Sequence, residues 1–93
     1  MTLEEIAALV QKGVTHSGFA DSLKFDCGDL GQVVIADGHV GLEDRDTDCT
    51  LKLSLDNLAK LVTGNLNPMT AVMMGKLKVS GNPAIALKLK ELL

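Results

Sequence analysis

Ninety-three residues with 9 basic and 12 acidic side chains carry a formal charge of −3 and a pI near 5.2, which argues against a nucleic-acid phosphate backbone as partner. The hydrophobic fraction is 46%, yet only Phe19 and Phe25 are aromatic, and no apolar run reaches the ~18 residues of a membrane span. Two cysteines do not make a disulfide framework, so reduced thiols, a cytoplasmic setting and one domain over residues 1–93 are expected.

The chain opens with Thr2-x-x-Glu5, a capping box, followed by Leu3, Ile6, Ala7 and Val10 at helical spacing. This predicts a helix over 3–12, ended by Gly13, with a linker at His16-Ser17-Gly18. The acidic start reads as helix, not as a signal peptide.

From Ser22 the period becomes two. Leu23, Phe25 and Cys27 alternate with Lys24 and Asp26, and Gly28-Asp29-Leu30-Gly31 reads as a turn. Val33-Val34-Ile35-Ala36 is a continuous apolar strand, and Asp37-Gly38 is a strong two-residue hairpin signal. Residues 39–43 alternate again, so residues 23–43 read as a three-stranded antiparallel meander. A charged loop, Asp44-Arg45-Asp46-Thr47-Asp48, leads to a fourth strand with Cys49, Leu51 and Leu53 inward.

Ser54 can cap a helix over 55–62, with Leu55, Leu58, Ala59 and Val62 on one face and Gly64 after its end. Two Asn-Pro pairs follow. Asn67 and Asn82 are N-cap candidates, each with a proline at the first helical position. The helix after Asn67 carries Met69, Val72 and Met73 at i, i+3 and i+4, with Met74 beside them. A fifth strand over 76–80 points Leu77 and Val79 to one face, and Lys76 and Lys78 to the other. The helix after Asn82 puts Ile85, Leu89 and Leu92 on one stripe, flanked by Ala86 and Leu93, while Leu87 falls outside it.

These elements make an α+β fold: one five-stranded, mostly antiparallel sheet with helices packed on one face. One-sided alternation leaves the other face wet, with Lys24, Lys52, Lys76 and Lys78 on it. The C-terminal helix is apolar over more than half its circumference, more than a sheet face requires, so the excess must meet core, a partner chain or a lipid.

Polar constellations are weak. There is no C-x-x-C, neither histidine has metal-ligand spacing to a cysteine, and Glu43, Asp44, Asp46 and Asp48 lack the glycine and glutamate spacing of a calcium loop. No G-x-S-x-G elbow is present, and Gly28-x-x-Gly31 joins two strands, so no helix N-terminus awaits a phosphate there. The reading is not an enzyme, with no cofactor and no metal.

One stretch is diagnostic. Thr63-Gly64, Leu66-Asn67-Pro68-Met69-Thr70-Ala71 and Met74-Gly75-Lys76-Leu77-Lys78-Val79-Ser80-Gly81 closely resemble the C-terminal region of the sterol carrier protein type two domain family. The upstream element order also fits, so the resemblance covers nearly the whole chain. It implies strand order 3-2-1-4-5 and a tunnel between sheet and helices. That order would make the strands of Cys27 and Cys49 neighbours, so a thiol pair is conceivable, beside the plainer reading of two small buried hydrophobes.

The function it implies is non-covalent binding, and transfer, of fatty acids, fatty acyl-CoA, sterols or phospholipids. Leu58, Val62, Met69, Val72, Met73, Leu77, Ile85 and Leu89 are the candidate lining. Methionines repack around varied shapes, and a core nearly free of aromatics has fewer large groups to fill space. Plain core packing is the competing reading for each residue. The partner is a lipid or other hydrophobic small molecule, with no nucleic acid and no stable membrane insertion. The alternatives are a dimerisation module, with a homodimer as partner, and an accessory domain of an enzyme acting on hydrophobic substrates.

Overall fold

A computed structural model describes residues 1–92. Helix α1 (Leu3–Ser17) starts at the expected capping box: the Glu5 N–H donates to Thr2 Oγ1 at 3.1 Å, and the Thr2 N–H donates to Glu5 Oε1 at 2.9 Å. Hydrogen bonding to its carboxyl, from the Thr2 backbone first and then from the Thr2 side chain, holds Glu5 below the usual carboxylate range. The helix does not end at Gly13. It runs five residues further than expected, to a left-handed cap at Gly18 (φ 70°), so His16 lies in its last turn rather than in a linker. Gly13 serves packing instead, because a Cβ there would fall on the Leu92 carbonyl. One glycine letter thus stands for close approach, and the chain stop lies at the next one.

Strands β1 (Leu23–Asp26), β2 (Gln32–Ala36), β3 (His39–Gly41), β4 (Cys49–Lys52) and β5 (Lys78–Gly81) form one sheet in the order β3-β2-β1-β4-β5. The β1–β4 pair is parallel and the other pairs are antiparallel. Asp37 (φ 54°) and Gly38 (φ 77°) both take positive φ in the β2–β3 turn, the backbone that an Asp-Gly hairpin provides. Register puts Val33, Phe25, Leu51 and Val79 in one row across the core side, and Gln32, Asp26, Lys52 and Lys78 in one row across the other.

Helix α1 covers the core side with Ile6, Val10 and Val14, and α2 (Leu55–Val62) adds Leu58 and Leu61. Gln11 locks α1 to the β3 edge: its Oε1 accepts from the Val40 N–H at 2.9 Å and its Nε2 donates to the Gly38 carbonyl at 3.1 Å. The sheet's other face is less wet than the alternation suggests. Val34 is buried there, and Lys24 is only 16% exposed, because loop 42–48 folds back and Asp44 meets Lys24 at 2.7 Å.

After α2, helix α3 (Pro68–Met73) precedes β5, and two short helices follow, α4 (Pro83–Ala86) and α5 (Leu89–Leu92). The single C-terminal helix expected from Asn82 onward is broken at Leu87 and Lys88. Lys88 and Glu91 N–H groups reach back three residues rather than four, to the Ile85 and Lys88 carbonyls. The break keeps Ile85, Leu89 and Leu92 buried on one side. Leu93 lies outside the described residues. Cys27 follows β1 at the end where Asp26 pairs with Lys52, whereas Cys49 pairs with Leu23 at the other end. Four residues of strand, about 13 Å, separate their levels, too far for a disulfide.

Candidate functional site

Helix α3 is pinned at both ends. The Asn67 Oδ1 accepts from the Met69 and Thr70 N–H groups at 2.9 and 3.3 Å, and Pro68 fills the first turn. After the helix, the Ala71 carbonyl accepts from Lys76 and Leu77 N–H at 2.8 and 3.2 Å. Between these clamps the buried side chain is Ala71, at 0% exposure, while Met69 and Met73 are 58% and 85% exposed. The small residue faces in, and Met69 and Met73 are turned outward.

At its other end the chain re-enters helix at Asn82, whose Oδ1 accepts from the Ala84 N–H at 3.0 Å. Residues of α3, of the edge strand β5 and of α4 face one common hollow. Val79 points to the core side of the sheet, in the row of Leu51, yet remains 37% exposed. The result is an apolar groove of about 240 Å³, walled by Met69 and Val72 of α3, Leu77 and Val79, and Ala86, Leu87 and Leu89 beyond. A second hollow of about 180 Å³ adjoins it. Pro68, Met69, Ala86, Leu87 and Leu89 border both, and Lys90 brings a cation to the second.

Of the eight side chains the sequence singles out, Met69, Val72, Leu77 and Leu89 come together in this groove. Met73 is exposed and lines neither hollow. Leu58 and Ile85 belong to the packed core, and Val62 packs against that core from α2. The region between α1, α2 and the central strands is filled by Ile6, Val10, Phe25, Leu51 and Leu58, so the groove lies at the β5 edge. Pro68, Val79, Pro83, Ala86 and Leu87 also line the groove and were not among the eight. Leu87 carried a signal: an apolar residue off the helix stripe has its surface to place elsewhere.

The chemistry on offer is apolar. No polar or charged residue is buried among the described residues, and no three His, Cys, Asp or Glu side chains among them gather as a metal site. Burial pushes the Cys27 and Cys49 thiols above their ordinary pKa; Asp26 adds to the rise at Cys27, and a backbone hydrogen bond at Ala86 opposes it at Cys49. Both thiols are thereby made poorer nucleophiles. No helix among the described residues is long and apolar enough to cross a membrane.

Known proteins share this architecture. Sterol carrier protein 2 from Yarrowia lipolytica, in its apo form, superposes with a TM-score of 0.66 at 28% identity, covering 92% of this chain and 77% of that one. Palmitated SCP2L2 from Aedes aegypti superposes with a TM-score of 0.78 at 19% identity, over 98% of this chain and 93% of that one, a likeness of fold. Sterol carrier protein 2 from Gallus gallus is 47% identical over 49 residues, 53% of this chain and 9% of that protein. Hydroxysteroid dehydrogenase-like protein 2 from Mus musculus is 41% identical over 56 residues, 60% of this chain. The chain spans about a tenth of the length of these curated relatives, at 9% and 11%. The model of the SCP-2 sterol transfer family matches residues 3–93, nearly every residue of the sheet, the groove and the helices around them, and the chain belongs to that family.

Proposed function

We propose that the groove between α3, β5 and α4 binds the hydrocarbon part of a lipid, and that the protein holds and transfers such lipids without covalent chemistry. The observation that carries this is the apolar wall of Met69, Val72, Leu77, Val79 and Leu87, left open at a sheet edge with a lysine at one end. Burying an acyl chain gains about 0.8 kcal/mol per methylene, so shape alone binds it with few polar contacts. Lys90 is placed to meet a carboxylate or phosphate.

Size favours a slender ligand. Each hollow is smaller than the roughly 300–1,000 Å³ of clefts that bury drug-sized ligands. A linear chain can thread two narrow hollows in series, whereas a rigid fused-ring skeleton needs one wider space. Fatty acids and fatty acyl-CoA are therefore the first ligands, with phospholipids and sterols requiring Met69 to swing aside. Native mass spectrometry of freshly purified protein tests this. A co-purified mass of acyl-chain type is expected, and its absence together with no uptake of added fatty acid counts against the reading.

A second reading has its own support. The relatives are about ten times longer than their matching segment, and one is named as a dehydrogenase-like protein. In that reading this domain presents a hydrophobic substrate to an enzyme. A pull-down that retains a dehydrogenase activity on a hydrophobic substrate would favour it.

A further inference from the structure

We infer that a separate hollow, on the sheet face away from the groove, binds a small zwitterion with an apolar body: a free α-amino acid with an aliphatic side chain. The hollow measures about 190 Å³. Val34 and Ala36 are its buried floor, and His39, Gly41, Glu43 and Arg45 stand around it. Register sets Ala36 opposite His39 and Val34 opposite Gly41, in a row that continues through Lys24 and Thr50. Gly41 has no other explanation in the fold. Its φ is not positive, and a Cβ on it would meet no atom within 4 Å beyond its chain neighbours. Neither a turn nor a close contact requires glycine there, and glycine weakens a strand. Its missing side chain leaves the hollow open, as a site does where a ligand approaches the backbone.

Loop 42–48 is fixed at three points. Gln32 Nε2 donates to the Leu42 carbonyl, Lys24 pairs with Asp44 at 2.7 Å, and Ser22 Oγ donates to Asp48 Oδ2 at 3.0 Å. Held in this way, Glu43 and Arg45 both face the hollow. They are of opposite charge, yet they do not pair with each other: the ion pairs among the described residues join Lys24 to Asp44 and Lys88 to Asp21. Arg45 is the only arginine of the chain, and its planar fork suits a carboxylate. Glu43 accepts from an ammonium group. The surrounding charge narrows the choice. Glu43, Asp44, Asp46 and Asp48 flank one guanidinium, so a purely anionic ligand is repelled, and Arg45 repels a purely cationic one. An aliphatic side chain gains by burial against Val34 and Ala36. The volume is below the roughly 300–1,000 Å³ of clefts for drug-sized ligands, which suits a free amino acid. No residue lines both this hollow and the groove, so the two sites stand or fall separately.

Titration followed by amide NMR tests it, with leucine, N-acetyl-leucine, which lacks the ammonium, and leucinamide, which lacks the carboxylate. Leucine is expected to move the signals of Val34, Gly41 and Arg45 saturably, at about millimolar strength for so small a ligand. The two derivatives are expected to bind several-fold more weakly. Arg45→Gln and Glu43→Gln are each expected to weaken leucine by up to about fivefold, as for exposed ion pairs. Gly41→Val, which fills the hollow, is expected to abolish leucine binding while thermal melts and fatty-acid uptake stay as in wild type. No saturable shift with leucine overturns the inference. Equal binding of N-acetyl-leucine also overturns it, and reduces the site to a lone anion contact at Arg45. Leucine binding retained in a folded Gly41→Val places the ligand elsewhere and overturns it too. Should Gly41→Val fail to fold, the other two variants decide: leucine binding unchanged in both Arg45→Gln and Glu43→Gln overturns the inference.

Discussion

Gly13 and Leu92 meet backbone to backbone. The Leu92 carbonyl occupies the space where a side chain on residue 13 would begin, so α1 and α5 are held at a distance only glycine allows. An exposed helical glycine normally gains about 1 kcal/mol on change to alanine. Here Gly13→Ala is expected to lose about 1–3 kcal/mol, as for an overfilled core. Urea melts check the sign, and a stabilised variant would mean the two backbones are not in contact.

The two asparagine caps are expected to act locally and unequally. Asn67→Ala and Asn82→Ala should each cost about 1 kcal/mol, and the aspartate variants much less. Asn67 holds two N–H groups and orients the wall of the groove, whereas Asn82 holds one. Asn67→Ala should therefore weaken ligand uptake beyond its effect on the melt, and Asn82→Ala should follow the melt alone. Equal uptake by both would separate the cap from the site.

Cys49 has no exposed surface and Cys27 is half-buried, so a thiol reagent should label Cys27 first and Cys49 only as the chain opens. Both folded thiols sit above the ordinary value of 9.0, so the unfolded chain ionises first as pH rises. Between the two pKa values the unfolded state binds fewer protons, and stability falls with increasing pH. Melts from neutral to alkaline pH should show this loss setting in near the ordinary thiol range, and Cys49→Ala should reduce it. A loss already present at neutral pH would point to other groups.

Much of this fold is written in local chemistry. The Thr2–Glu5 box, the Asp37-Gly38 turn, Ser54 and both Asn-Pro pairs act within a few residues, and each stands where the sequence put it. Strand order was different: alternation yields strands, and only the family resemblance implied which lie side by side. Gly13 and Gly18 are the same letter in different roles, separated only by where α5 lands. The site was half legible. The methionine stripe was visible at helical spacing, but a stripe does not say which way it faces. Ala71 turned it outward, because the clamps at Asn67 and at the Ala71 carbonyl fix the rotation of a six-residue helix. The cover over Val34 was likewise invisible, since it depends on Asp44 reaching Lys24 from a loop that reads as solvated.

Side chains in and beside the groove should respond oppositely to enlargement. Met69 borders both hollows, while Met73 borders neither. Met69→Trp should block uptake with little change in stability, because the ring enters open space rather than a close-packed core. Met73→Trp should leave uptake and stability near wild type. A melt lowered by several degrees in Met69→Trp would mean that the groove is closed core.

The most direct measurement is titration of the delipidated protein with a fluorescent fatty acid, on wild type, Met69→Trp and Met73→Trp together. Saturable one-to-one uptake by wild type and Met73→Trp, lost in Met69→Trp, is the predicted result. Uptake equal in all three proteins, or none by wild type at micromolar concentration, would contradict a lipid site in the groove at the β5 edge.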